Sequence, residues 1–359
     1  MKRSGYKAII GLFVVQAVLL MSSTLYGVEV NKKYNKEFST KDKTQLTIDN
    51  RYGDITVESW NESRVAIDVL VTVEYDDQSK AEKFLEMINV EFGDAGDAIE
   101  AKTVIDSKFS FGGWRDGQKF TIDYVVKMPV SLNFNVVNRY GNIDIDELSG
   151  QVDITVKYGS LFIEKLSRGK EKPLNKIALA YSSGELVELG WTEMYLRYSP
   201  RTTIGSAKAL MVDTRYSKLQ IEKVGSIVLD SKYDNVNISE MTNLVAESGY
   251  TSYKLGTITG KLDIDTGYGS IGVERLAAGF ESVNINSKYC STKIDVDDQA
   301  SFILDGSVEY GGLGFDEERA EIMTRIYENN SKTVKAVIGD KNASSTIDFK
   351  LNYGSLKIY

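Results

Sequence analysis

Histidine is absent from the 359-residue chain, and that absence closes off a wide range of chemistry. Without it there is no Ser–His or Cys–His nucleophile pair, no histidine general base and no imidazole metal ligand. Cysteine occurs once, at Cys290, so no intrachain disulfide can staple the fold. No cysteine stands near the end of the first apolar run either, which removes the bacterial lipoprotein route to an anchor. Three prolines among 359 residues are too few for a Pro-rich linker or stalk. After residue 27 no second apolar run is long enough to cross a bilayer. No repeat carries the Gly-Gly-x-Gly-x-Asp run of calcium-binding repeats, so no metal and no other cofactor is expected.

The N-terminal segment has the order of an export signal. Lys2, Arg3 and Lys7 form a basic start, residues 8–20 are apolar apart from Gly11 and Gln16, and residues 21–27 are short and polar. Residues 1–27 are therefore read as a secretory signal peptide and excluded from the fold; an uncleaved membrane anchor is the other reading, against which the apolar run is shorter than the ~20 residues a bilayer span needs. Their removal takes away three positive charges, lowering the net charge from −8 to −11. A chain this acidic is not expected to bind nucleic acid.

What the sequence has in abundance is tyrosine at a fixed register. The series is Tyr52, Tyr140, Tyr158, Tyr181, Tyr198, Tyr216, Tyr233, Tyr250, Tyr268, Tyr289, Tyr310 and Tyr353, and the nine steps from Tyr140 to Tyr310 run from 17 to 23 residues. The next residue is always small or turn-forming, as in Gly141, Gly159, Ser182, Ser199, Asp234 and Cys290. Four residues before each tyrosine and five after it stand core columns, represented by Ile154 and Ile163 around Tyr158. Between columns the pattern alternates, as in Val152-Asp-Ile154-Thr-Val156, which is a strand with one apolar face. Strand, tight corner, strand fills 17 to 21 residues. A unit that small cannot bury its own apolar face and must stack on its neighbours.

The predicted fold class is all-β: a β-solenoid of about ten to twelve coils at about 4.8 Å per coil, with an N-terminal α+β cap. The predicted organisation is a signal peptide at 1–27, a strand and helix-containing cap at 28–128, and repeats at 129–359 with an insertion at about 316–345. Within the cap, 77–92 is read as a helix from the spacing of Ala81, Phe84, Leu85 and Ile88. Residues 107–117, with Gly112-Gly113-Trp114, are read as a loop, and 167–175 as a charged loop lengthening one repeat. The 316–345 insertion is read as a short helix and a strand, and 346–359 as a return to the repeat that closes the far end.

Two rows of side chains are candidate sites. The residue before tyrosine is basic in seven of twelve repeats: Arg51, Arg139, Lys157, Arg197, Arg215, Lys232 and Lys288. In-register stacking makes these a basic stripe, able either to recognise a charged polymer or simply to keep the surface solvated. Six residues after tyrosine the side chain is acidic in seven repeats, including Glu58, Asp146, Glu164, Glu222 and Glu274. The tyrosines Tyr140 to Tyr310 are read as a structural ladder, in phase with inward residues, ring buried and hydroxyl exposed; the other reading is a platform for sugar rings. Cys290 stands in the small-residue column and is read as a size requirement rather than a reactive thiol.

The segment Phe120-Thr-Ile122-Asp-Tyr124-Val-Val-Lys-Met128-Pro129, followed by Leu132-Asn-Phe134 and Asn138-Arg-Tyr140-Gly141-Asn-Ile143-Asp-Ile145, resembles the bacterial putative-adhesin family of unknown function. The resemblance covers about residues 40–359 and rests on degenerate repeats. It implies an exported β-solenoid with adhesion as the family-level role, and it brings no catalytic motif. The sequence thus predicts a non-catalytic exported cell-envelope protein, a binding or scaffold module in the periplasm or at the cell surface. Its expected partner is an envelope or extracellular polymer or protein. A carbohydrate-active β-helix enzyme and a purely structural periplasmic protein are the alternatives.

Overall fold

The computed structural model describes residues 27–41, 44–109 and 118–359. The predicted signal peptide, apart from Gly27, and most of the loop at 107–117 lie outside the described residues. The described chain is nearly all strand with one helix, and its 24 strands belong to a single, mostly parallel sheet.

Alternation builds the central stack. Val152–Lys157 buries Val152, Ile154 and Val156 and pairs in parallel with Asn133–Arg139 on one side and Asn175–Ala180 on the other. From residue 183 onward the two strands of successive repeats run together into 15-residue strands. Ser183–Arg197, Arg201–Arg215, Lys218–Lys232 and Asn235–Gly249 follow one another in parallel register, and Ser252–Leu276 and Ser282–Val296 continue the series. Like pairs with like along the stack: Met194 opposite Val212, Val212 opposite Leu229, Leu229 opposite Ala246. Each repeat thus closes a core its neighbour opens.

The N-terminal region mixes directions. Val28–Ser39 and Lys119–Pro129 flank Arg64–Tyr75, both antiparallel to it, while Gln45–Arg51 pairs in parallel with Asn133–Arg139. The helix is shorter than the spacing predicts, spanning Gln78–Glu86 and capped by Asp77 Oδ1, which accepts from the Lys80 N–H at 2.9 Å. The rest of 77–92 turns into the strand Ile88–Asp94, paired antiparallel with Ala98–Ile105. Ile88 and Val90 are buried while Asn89 and Glu91 are exposed, so a period of two takes over from the helical one.

Two expectations about the far end are corrected. The 316–345 insertion holds no helix; it is an antiparallel hairpin of Ala320–Glu328 and Ser331–Ile338, the latter laid along Phe302–Glu309. The final segment does not close the stack. Ser345–Asn352 slots between Ser282–Val296 and Phe302–Glu309, parallel to both, so the last repeat in sequence is an inner one in space. The hairpin covers the edge instead, as an exposed strand end requires.

A third correction concerns one core position. The five-after column lands on Thr203, but the buried residue opposite Leu186 is Ile204. Pro200 adds one residue to that corner.

Candidate binding surface

Every ladder tyrosine has a positive φ, between 52° and 64°. This is the left-handed region, which costs an ordinary side chain about 1–2 kcal/mol and turns it out of the alternation. The tyrosines therefore point outward, against the buried-ring expectation. Eleven of the twelve are 45–54% exposed, and the twelfth, Tyr52, is half-buried against Phe120. The residue after tyrosine takes the inward place instead, and Ser182, Ser199, Ser217, Asp234, Thr251 and Cys290 are all buried there. Where that place is glycine the backbones nearly touch: a Cβ at Gly159 would stand 2.0 Å from the Gly141 carbonyl oxygen.

The rings stack face to face along the whole series, centroids 4.7–5.1 Å apart and planes within 11° of parallel. The stacking order follows the strands, so Tyr353 lies between Tyr289 and Tyr310. This geometry bears directly on the sugar-platform reading. A sugar packs on an open aromatic face, and here each inner ring has both faces covered by its neighbours. What remains accessible is a row of ring edges and hydroxyls at strand spacing.

Beneath the corner lies a polar seam. Ser217 N donates to Asp234 Oδ1 at 2.6 Å, and Ser231 Oγ and Lys232 N donate to Oδ2 at 2.7 and 3.0 Å. Burial pushes the Asp234 carboxyl above its ordinary value, and those donors with nearby Arg215 pull against it. Farther along the stack, Asn138 Nδ2 donates to the Gly53 carbonyl at 2.9 Å and the Asn142 carbonyl at 3.0 Å. These residues satisfy polar backbone that the tight corner would otherwise strand.

The basic stripe is in register but divided. Arg51 lies opposite Arg139, Arg139 opposite Lys157, Arg197 opposite Arg215 and Arg215 opposite Lys232. Ala180 stands between Lys157 and Arg197, and Gly249 and Gly267 separate Lys232 from Lys288. Arg139, Arg197 and Arg215 are neutralised by carboxylates two positions back along the same face. Arg139 meets Asp49 at 2.7 Å, Arg197 meets Asp213 at 2.8 Å, and Arg215 bridges Asp213 at 2.7 Å and Asp230 at 2.9 Å. Arg51, Lys157, Lys232 and Lys288 make no ion pair among the described residues and are the stripe's free cations.

The acidic row does not converge on one point. Val187, Gly205, Ser239 and Gly256 interrupt it, Glu58 pairs with Lys127 at 3.1 Å and Glu274 with Lys254 at 3.1 Å. An open groove of about 500 Å³ on that side is lined by Glu185, Val187, Thr203, Gln220, Glu222 and Asn237, its two carboxylates exposed. Among the described residues no group of three His, Cys, Asp or Glu side chains is placed to hold a metal ion, and no helix is long and apolar enough to cross a membrane. Cys290 is buried, and burial pushes its thiol pKa up.

No protein-family model and no curated protein matches the chain. Among solved structures it is similar to a putative cell adhesion protein from Clostridium sporogenes, at 11% identity and TM-score 0.21 over 92% of this chain and 99% of that one. A putative adhesin from Bacteroides fragilis matches at 12% identity and TM-score 0.26 over 91% and 97% of the two chains. A putative adhesin from Parabacteroides distasonis matches at 9% identity and TM-score 0.33 over the same shares, 91% and 97%. At these TM-scores the likeness fixes neither fold nor function.

Proposed function

We propose that the chain is a β-solenoid rod exported to the cell envelope, where it acts as a non-catalytic binding or scaffold module for an extended anionic polymer. The observation that carries this reading is the exposed edge of the tyrosine ladder with free cations beside it at intervals, at Lys157, Lys232 and Lys288. Eleven exposed hydroxyls, Tyr140 to Tyr353, spaced by about 4.8 Å extend on the order of 50 Å, the scale of a polymer segment rather than of a small substrate. Lys157 and Lys232 stand one residue from ladder tyrosines, so an acidic chain lying along the ladder meets hydroxyl donors and positive charge together. The carboxylates support a non-catalytic role through their placement, since they recur along the repeat and Glu185 and Glu222 are open to water. The basic start and apolar run of 1–27 support export.

Co-sedimentation with insoluble envelope fractions over a salt series tests the reading. The protein is expected to pellet at low salt and to be released as ionic strength shortens the range of surface charge. The double substitution Lys157→Glu with Lys232→Glu is expected to abolish pelleting without changing the circular dichroism of the fold. Absence of pelleting at every salt concentration, or pelleting of the double variant equal to the parent's, would sink the proposal.

A further inference from the structure

On the same outward face, the row five residues before each ladder tyrosine is polar or charged in nine of twelve repeats. The three exceptions are consecutive. Met211 lies opposite Val228 and Val228 opposite Val245, and the three are 51, 51 and 46% exposed. Two residues upstream in the repeat a second apolar run lies alongside, in which Leu174 and Trp191 are at least partly exposed and Ala209, opposite Trp191, is buried. Contiguous exposed apolar surface of this kind marks an interaction site rather than ordinary surface scatter.

The strip begins, at Leu174, in the one repeat lengthened to 23 residues. Its extra segment, 167–174, reaches the middle of Ser183–Arg197, where the Trp191 backbone N–H donates to the Arg168 carbonyl at 3.3 Å. Together they form a groove of about 250 Å³ lined by Lys170, Lys172, Leu174, Trp191, Met211 and Val228. Lys170 and Lys172 are exposed and make no ion pair among the described residues.

The charges around the strip give it a direction. Lys170 and Lys172 mark one end. At the other, Val245 gives way to Asp263; along one side run Glu247 and the arginine-paired Asp213 and Asp230, and Glu193 stands opposite Met211 beside Trp191, so Lys170 and Lys172 are the cations left for an acidic head. From Leu174 to Val245 the strip crosses five strands, or about 20 Å at strand spacing. One long apolar track with cations at one end and anions at the other fits an amphiphile with an acidic head.

We propose that the strip binds a long-chain fatty carboxylate, its tail extended along the stack over Trp191, Met211, Val228 and Val245 and its head at Lys170 and Lys172. Burying the tail removes apolar surface of both partners from water, and the two ammonium groups pair with the head. The site is separate from the tyrosine edge, so failure of polymer binding leaves it untouched.

Trp191 supplies the test. A dibrominated stearate titrated into the purified protein is expected to quench tryptophan fluorescence saturably, and Trp191→Phe is expected to remove that quenching. Lys170→Glu with Lys172→Glu is expected to weaken the carboxylate at least tenfold while leaving its methyl ester within twofold. Val228→Lys, and Met211→Lys as a second variant at an equally exposed position, are expected to weaken both probes at least tenfold. Absence of saturable quenching overturns the proposal, as does quenching that Val228→Lys leaves unchanged. An equal loss of ester and carboxylate in the lysine variant, or no loss of either, overturns the head placement. Dimerisation of the free protein in sedimentation velocity, abolished by Val228→Lys, would assign the strip to a second copy of the chain.

Discussion

A tyrosine in the left-handed region needs a reason to stay there, because glycine adopts that conformation freely. At Tyr216 the reason on hand is the pair of stacked contacts to Tyr198 and Tyr233, at 5.0 and 4.9 Å. Each such contact contributes about 0.5–1.5 kcal/mol, against a backbone cost of about 1–2 kcal/mol. Tyr216→Ala loses the stacking and keeps the strain, so it is expected to destabilise by about 1–3 kcal/mol in urea denaturation. Tyr216→Gly loses the stacking but relieves the strain, so its cost is expected to be smaller by about 1 kcal/mol. A glycine variant more stable than the parent would mean that stacking does not hold the ladder together. Asp234 is the other residue whose setting makes a sharp prediction. Asn at 234 presents an amide where a carboxylate oxygen now accepts, at a cost of about 1–3 kcal/mol. Because burial raises the folded-state pKa, the carboxyl's own contribution is fully present below its unfolded value of about 3.9 and is lost as pH rises through the folded value. The stability gap between the parent and Asp234→Asn is therefore expected to be widest in acid and to narrow toward neutral pH, read from melting curves at several pH values. A gap that widens with pH would reverse the assigned sign.

At the scale of the element, the strands were legible because alternation survives in nearly every repeat, as in Val152, Ile154 and Val156. Period-two counting points the tyrosines inward because it assumes a negative φ at every residue, and all twelve break that assumption. The slip was nonetheless written in the sequence: apolar positions are even-numbered before Tyr158 and odd-numbered at Leu161 and Ile163 after it. The helix was overextended because Ile88 satisfies both a helical face and the first inward position of a strand, and burial of Val90 decides for the strand. The hairpin at Ala320–Glu328 and Ser331–Ile338 gave no clean alternating signal, since the first of its strands is mostly exposed and need not alternate. The basic stripe could be read as a column, but most of its neutralisation could not, because Arg139, Arg197 and Arg215 reach Asp49, Asp213 and Asp230 across strands, and only the Arg215–Asp213 pair lies within one repeat. The apolar strip was also readable once columns were aligned, three apolar entries standing out in a row of polar ones.

In a stack of repeats, stability passes between nearest neighbours, so spatial order rather than chain order decides which part depends on which. The last repeat is the decisive case. Ser345–Asn352 pairs with Ser282–Val296 on one side and Phe302–Glu309 on the other, and Tyr353 joins the rings of Tyr289 and Tyr310. Removing residues 345–359 would leave two parallel edges facing a gap, with Phe302–Glu309 held on its other edge by the hairpin. Were the final segment a terminal cap, its loss would fray only the strand beneath it. As an inner layer, its loss disconnects 302–338 from the stack altogether. Hydrogen exchange of the chain ending at residue 344 is therefore expected to show full loss of protection across 302–338 and partial loss across 282–296. Protection in 183–249, several layers away, is expected to stay near that of the parent. Retained protection across 302–338 would mean that those strands close directly onto 282–296, and the intercalated order of the sheet would be wrong.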